Sequence, residues 1–171
     1  MIYNLLDMQN NMLSPTINTY ISYEDFIKVC NKPEHYLKLE MSYLGMSRIY
    51  GNNFLPTGLI DDVKVMFTHH KNVPIKKLIN RWNYLKDTIQ WSNLLFIIRD
   101  PIGALPYDCE KAFSKIKYPH LLIKTNNIYP SLFNDDVVYI LTERLFATPY
   151  GNIMETYFDI VGWFNNKFAN N

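Results

Sequence analysis

Ile60-Asp61-Asp62-Val63-Lys64-Val65-Met66-Phe67-Thr68-His69-His70, then a lysine-rich segment, then Asn93-Leu94-Leu95-Phe96-Ile97-Ile98-Arg99-Asp100 carry the pattern of a strand, a crossover helix and a second strand. In the middle segment Ile75, Leu78, Ile79, Trp82, Leu85 and Ile89 recur at spacings of three and four, which places them on one helical face. Pro74 stands where a helix can begin. Lys76, Lys77, Asn80, Arg81, Asn83 and Lys86 fall on the other face, so the helix is expected to cover a sheet on one side and meet water on the other. The two apolar runs then read as parallel neighbours.

Downstream, Asp100-Pro101 and Leu105-Pro106 end the second strand. Tyr107 to Ile116 reads as a helix with Cys109, Ala112, Phe113 and Ile116 on one face, and His120 to Thr125 as a third short strand. The series predicts β-α-β-α-β with right-handed crossovers. Val137 to Leu141 fits strand or helix, because so short an apolar run has no decisive period. Asn152 to Phe164 closes the chain as a helix.

Upstream, residues 1–13 read as the tail of a helix that begins before the chain does. Ser14-Pro15 turns the chain, and Thr16 to Ile21 alternates as a half-buried strand. Ser22 caps a helix whose third position, Asp25, is acidic, with Phe26, Ile27 and Cys30 inward. Pro33 opens a further helical turn with Tyr36 and Leu37 inward. Gly45, Gly51-Asn52-Asn53 and Pro56-Thr57-Gly58 mark a loop-rich connection in which Ser47 to Tyr50 is a short strand. The expected fold is a single α/β domain over residues 1–171. It has three layers, with a mainly parallel sheet of Val63–Thr68, Asn93–Arg99 and His120–Thr125 flanked by helices.

Composition narrows the function classes. Of 171 residues 48% are hydrophobic and 15% aromatic, enough for one packed core and too much for disorder. Seventeen basic and sixteen acidic residues leave a net charge of +1, which lacks the basic excess of a general nucleic-acid binder. The longest wholly apolar run, Leu94 to Ile98, is far short of the ~20 residues of a membrane-spanning helix. The N-terminus has no signal-peptide pattern, so the cytoplasm is the default location. Cys30 and Cys109 have no metal-ligand spacing and read as reduced thiols. Phosphate-cradling glycine loops, nucleophile elbows and His/Cys metal clusters are absent from the sequence, and no cofactor is implied.

In an open parallel sheet, ligands bind beyond the carboxyl ends of the strands. That rule selects Thr68-His69-His70, Arg99-Asp100 and Lys124-Thr125-Asn126-Asn127. His69 is the candidate general base, with Asp100 orienting its tautomer; its structural alternative is a loop histidine bonded to backbone. His70 and Asn126 are candidate substrate contacts on the same edge. Thr16 and Asn18, with Ser14, can meet a sugar hydroxyl or simply follow a Ser-Pro turn. Asp61 and Asp62, read as neighbours in a strand, point to opposite faces and serve as a solvated strand start. Trp82, Trp91 and Trp163 can stack on a sugar, although Trp82 has core spacing.

A set of short motifs runs almost the length of the chain. Ser14-Pro15-Thr16-Ile17-Asn18 is followed by Asp25-Phe26-Ile27, Tyr36-Leu37, Pro56-Thr57-Gly58-Leu59 with Asp62-Val63, and Phe67-Thr68-His69. Trp82, Ile89-Gln90-Trp91-Ser92-Asn93, Leu105-Pro106-Tyr107 and Tyr157-Phe158-Asp159-Ile160-Val161-Gly162-Trp163-Phe164-Asn165 continue it. In this order they resemble a bacterial family catalogued as domain of unknown function 1919 and often labelled exopolysaccharide biosynthesis protein. The resemblance implies a transferase acting on a sugar or a nucleotide sugar in surface-polysaccharide assembly.

Two departures from that family bear on function. Its members carry an upstream strand ending in an Asn-Cys-x-Gly-Gly-like turn, and this chain begins just after that point. The sheet is then open to lacking an N-terminal strand, and the exposed edge would favour oligomers. Arginines usual after the family's tryptophan are replaced here by Asn83-Tyr84-Leu85-Lys86-Asp87-Thr88, where Lys86 supplies charge without a bidentate fork. Both departures support the alternative of a non-catalytic interaction protein or a remnant of such an enzyme.

Overall fold

The computed structural model describes residues 15–16, 19–48, 54–68, 73–100, 103–124 and 137–139. They fall in two compact units, one within residues 12–90 and the other within residues 91–171.

In the first unit Ser22 caps a helix as its sequence demands. The Asp25 N–H donates to Ser22 Oγ at 3.1 Å, and α1 (Tyr23–Asn31) buries Ile27, Val29 and Cys30. Pro33, with its preset φ, starts α2 (Pro33–Lys38), which buries Tyr36 and Leu37. The sheet comprises β1 (Thr19–Tyr20), β2 (Ser42–Arg48), β3 (Phe54–Ile60) and β4 (Val63–Phe67), in the order β1-β4-β3-β2. Every pairing in it is antiparallel. Helix α3 (Ile75–Asp87) buries Leu78, Trp82 and Leu85 on the expected apolar face.

The expected mainly parallel, three-layer sheet is therefore wrong. Val63 to Phe67 does not join the strand at Phe96. It pairs antiparallel with β3, from Ile60↔Val63 to Thr57↔Met66, and with β1 through Thr19↔Phe67. The physical reason lies in Asp61-Asp62, which is a two-residue hairpin turn rather than the start of a strand. Asp61 has φ +53°, a left-handed conformation that short polar side chains tolerate and that tight hairpins require. The second obstacle was Pro56, which reads as a strand breaker. Its neighbour is Met46 in β2, and the β3–β4 ladder ends at Thr57, so no donor is needed on that side. Gly58 belongs to the strand as well: a Cβ there would run into the Met41 side chain, which lies against the sheet.

Helices α1 and α2 clasp the hairpin turn. Lys28 Nζ donates to Asp62 at 2.8 Å and to Asp25 at 2.9 Å, and Tyr36 Oη donates to Asp62 at 2.9 Å. Asp25 in turn accepts the Lys64 N–H at 3.2 Å, and His35 Nε2 meets Asp61 at 2.8 Å. The Lys28 ammonium, followed by the Tyr36 hydroxyl, holds the Asp62 carboxyl below its ordinary value of 3.8. Because the folded value is the lower one, the stability contributed by Asp62 is present above 3.8 and is lost as pH falls through the folded value. Asp62→Asn is expected to flatten the acid-side fall in melting temperature, measured between about pH 2 and pH 6. An unchanged acid limb would mean that Asp62 does not link folding to protonation.

Lys86 departs from the expected water-facing stripe. Its side chain is buried, with Nζ 3.1 Å from both Glu40 and Asp87. It secures the end of α3 rather than presenting a cation to solvent.

The second unit follows the expected β-α-β order. Strands β5 (Phe96–Asp100), β6 (His120–Lys124) and β7 (Val137–Tyr139) form a parallel sheet in that order. Helix α4 (Tyr107–Phe113) connects β5 to β6. Phe96, Ile98 and Leu122 are buried on the face that His120 and Lys124 share toward α4, where Cys109 and Phe113 are buried too, while Leu121 and Ile123 are buried on the opposite face of the sheet. The ambiguous run at Val137 is a strand. The closing helix expected at 152–164 lies outside the described residues.

Candidate functional site

Parallel strands bring their carboxyl ends to one edge of a sheet, and here that edge collects buried charge. Asp100, the last residue of β5, is in register with Lys124, the last residue of β6. Neighbours in register present their side chains to the same face. Asp100 is 1% exposed and Lys124 5%, in a setting where charged groups persist only with partners. Lys124 Nζ donates to Glu110 Oε2 of α4 at 2.8 Å, with both side chains buried. Asp100 Oδ1 accepts the Ala104 N–H at 2.7 Å and so shapes the loop that leads into α4. The result is two carboxylates and an ammonium gathered by one strand-helix-strand unit. Such groups can bond hydroxyls or carry a proton, and the same contacts also tie helix to sheet.

Asp100 and Lys124 stand at strand ends, as the sequence reading expected. Glu110 was missed. Its signal was available: it follows Cys109 and precedes Phe113 by three, which puts an acidic side chain at the margin of the inward face. His69, His70, Asn18 and Asn126 lie outside the described residues. His69 would share an edge with Asp100 only in a parallel sheet containing both strands, and β4 instead pairs antiparallel with β3. Thr16 is part of a turn, where its carbonyl accepts from the Thr19 N–H at 3.2 Å and from Thr19 Oγ1 at 2.7 Å.

The remaining histidines have structural partners. His120 Nδ1 lies 2.9 Å from the Tyr118 carbonyl, and its ring meets Phe113 edge-on at 5.1 Å. It opens β6 and thus stands at the end opposite Lys124. Trp82 is 2% exposed and belongs to the core. Cys30 and Cys109 are buried and form no disulfide; burial pushes the Cys30 thiol well above its ordinary value. Among the described residues no cluster of three or more His, Cys, Asp or Glu is placed to hold a metal ion. No described helix is long and apolar enough to cross a membrane.

Comparison with known proteins bears on the whole chain. An uncharacterized protein of Haemophilus influenzae is 22% identical over 172 residues, covering 95% of this chain and 78% of that protein. A family model described as domain of unknown function DUF1919 matches residues 1–165. That match spans both compact units, and the chain belongs to the DUF1919 family.

Proposed function

We propose that this chain is a cytoplasmic transferase acting on a sugar or activated sugar in surface-polysaccharide assembly, with its ligand at the carboxyl edge of β5 and β6. The observation that carries the reading is the convergence of Asp100, Lys124 and Glu110 at that edge, where open parallel sheets bind ligands. Buried carboxylate and ammonium groups suit the hydroxyls of a sugar, which donate and accept in turn. The sequence resemblance supplies the polysaccharide context.

The test is a ligand-induced thermal shift with a panel of nucleotide sugars and acyl donors. One class is expected to raise the melting temperature of the parent protein, and Asp100→Asn is expected to abolish that rise. The amide oxygen can still accept from Ala104, so the variant keeps the loop while losing the charge. A panel without any shift, or one unchanged in Asp100→Asn, overturns the proposed site.

A second reading, a non-catalytic interaction protein or a remnant of such an enzyme, draws on a separate observation. Large apolar side chains stand half exposed on the outermost strand of the antiparallel sheet.

A further inference from the structure

We propose that the carboxyl edge of β5 and β6 is a subsite for the uncharged, hydroxyl-bearing ring of the sugar, and that the phosphates of an activated sugar lie outside it. The inference rests on the ligand site proposed above and names the part of the ligand that occupies it.

Lys124 carries the argument. An ammonium has three N–H donors and no acceptor. The Lys124 side chain is 7% exposed, and among the described residues its Nζ donates to Glu110 Oε2 alone. Two donors are left in a setting that water barely reaches, where polar groups are as a rule hydrogen-bonded. They call for oxygen atoms from outside the pair.

Asp100 supplies the complementary half. It ends β5 in register with Lys124, so the two residues share a face of the sheet on strands ~4.8 Å apart. The Ala104 N–H donates to Asp100 Oδ1 at 2.7 Å, across a loop that Gly103 turns with φ +68°. A carboxylate has about four acceptor sites on its two oxygens, so one contact orients Asp100 without exhausting it. A hydroxyl set between the two strand ends accepts from Lys124 with a lone pair and donates its own proton to Asp100. A neighbouring hydroxyl on the ring takes the second Lys124 donor.

Charge argues against the other parts of an activated sugar. Asp100 and Glu110 set two carboxylates against one ammonium, which leaves one negative charge in excess at a buried edge. A phosphate adds more negative charge where screening is least. An ammonium already paired with Glu110 is a point charge without the fork that grips phosphate bidentately. The ammonium of an amino sugar would suit Asp100 and meet Lys124 as a like charge. An uncharged ring satisfies both groups at once.

Isothermal titration calorimetry on the full chain, as parent and Asp100→Asn, tests this with nucleotide sugars, the sugar-free nucleoside diphosphates and monodeoxy analogues of the nucleotide sugars. Asp100→Asn is expected to weaken nucleotide-sugar binding about tenfold or more, as loss of a hydrogen bond to a charged group does, and not to weaken that of the diphosphate. In the parent, one monodeoxy analogue should bind about tenfold or more weaker than the complete sugar, because its absence leaves buried polar groups unpaired. That difference should shrink in Asp100→Asn. Circular dichroism melting verifies the fold of the variant, and the deoxy series in the parent needs no variant. Equal weakening of nucleotide sugar and diphosphate overturns the inference and leaves the ligand site standing, with phosphate at the edge. A deoxy series that binds uniformly as tightly as the complete sugar also overturns the inference alone. Nucleotide sugars that do not bind, or that bind indifferently to Asp100→Asn, overturn the ligand site and the inference with it.

Discussion

Lys124→Met is expected to lower the unfolding free energy by about 3–5 kcal/mol, the cost of leaving a buried charge without its counterpart. Lys124 and Glu110 meet at 2.8 Å, each with a side chain 7% exposed. Water cannot take over the role of the lost ammonium, and the Glu110 carboxyl would be left buried without its counter-charge. The double variant Lys124→Met with Glu110→Met should recover most of the loss, since well-packed apolar residues often replace a buried pair at no net cost. Urea unfolding of the parent, both single variants and the double variant forms a complete cycle. A Lys124→Met protein within about 1 kcal/mol of the parent would show that the pair is not dry. The cycle also separates stability from binding: a double variant that folds normally and shows no ligand-induced shift would assign the Lys124–Glu110 pair to the ligand site.

Trp82→Ala is expected to cost a further unit of similar size, about 3–5 kcal/mol, in the unit that holds the antiparallel sheet. Trp82 is 2% exposed and sits on the apolar face of α3 with Leu78 and Leu85. Its indole Nε1 is buried without a hydrogen-bond partner among the described residues. Trp82→Phe removes that group together with only part of the ring volume, so its loss should be much smaller than that of Trp82→Ala. The same urea titration reads both variants. Equal losses would mean that the indole N–H carries a hydrogen bond of its own and that volume is not the main term.

Much of the local structure was legible from residue order. The Ser22 cap, the Pro33 start and the three- and four-residue spacing through α3 each act within one or two turns of helix, so neighbouring residues suffice to predict them. The link from β5 through α4 to β6 was legible for a related reason: two short apolar runs flank a helix, and the strand ends carry Asp100 and Lys124. Glu110 was harder, because its position in the sequence is that of a helix-margin residue and only Lys124, fourteen positions away, makes it a buried partner.

The partner of Val63–Phe67 was not legible. Its apolar alternation suits an antiparallel strand and a parallel one alike. The decision rested on Asp61, whose left-handed backbone turns Asp61-Asp62 into a hairpin, and on a Pro56-Thr57-Gly58 segment that looks like a loop and pairs as a strand. The same limit applied to Lys86, which carries the pattern of a solvated helix face and is instead buried beside Glu40, forty-six residues earlier in the chain. By itself the sequence determined the described helices and where most of them begin, because capping, proline geometry and side-chain period are local, whereas β2 and β3 stand where it read a loop-rich connection with one short strand at Ser47 to Tyr50. Only the tertiary structure decided which strands pair, which face β2 shows to solvent and which charges are buried, because those depend on contacts between residues far apart in the chain.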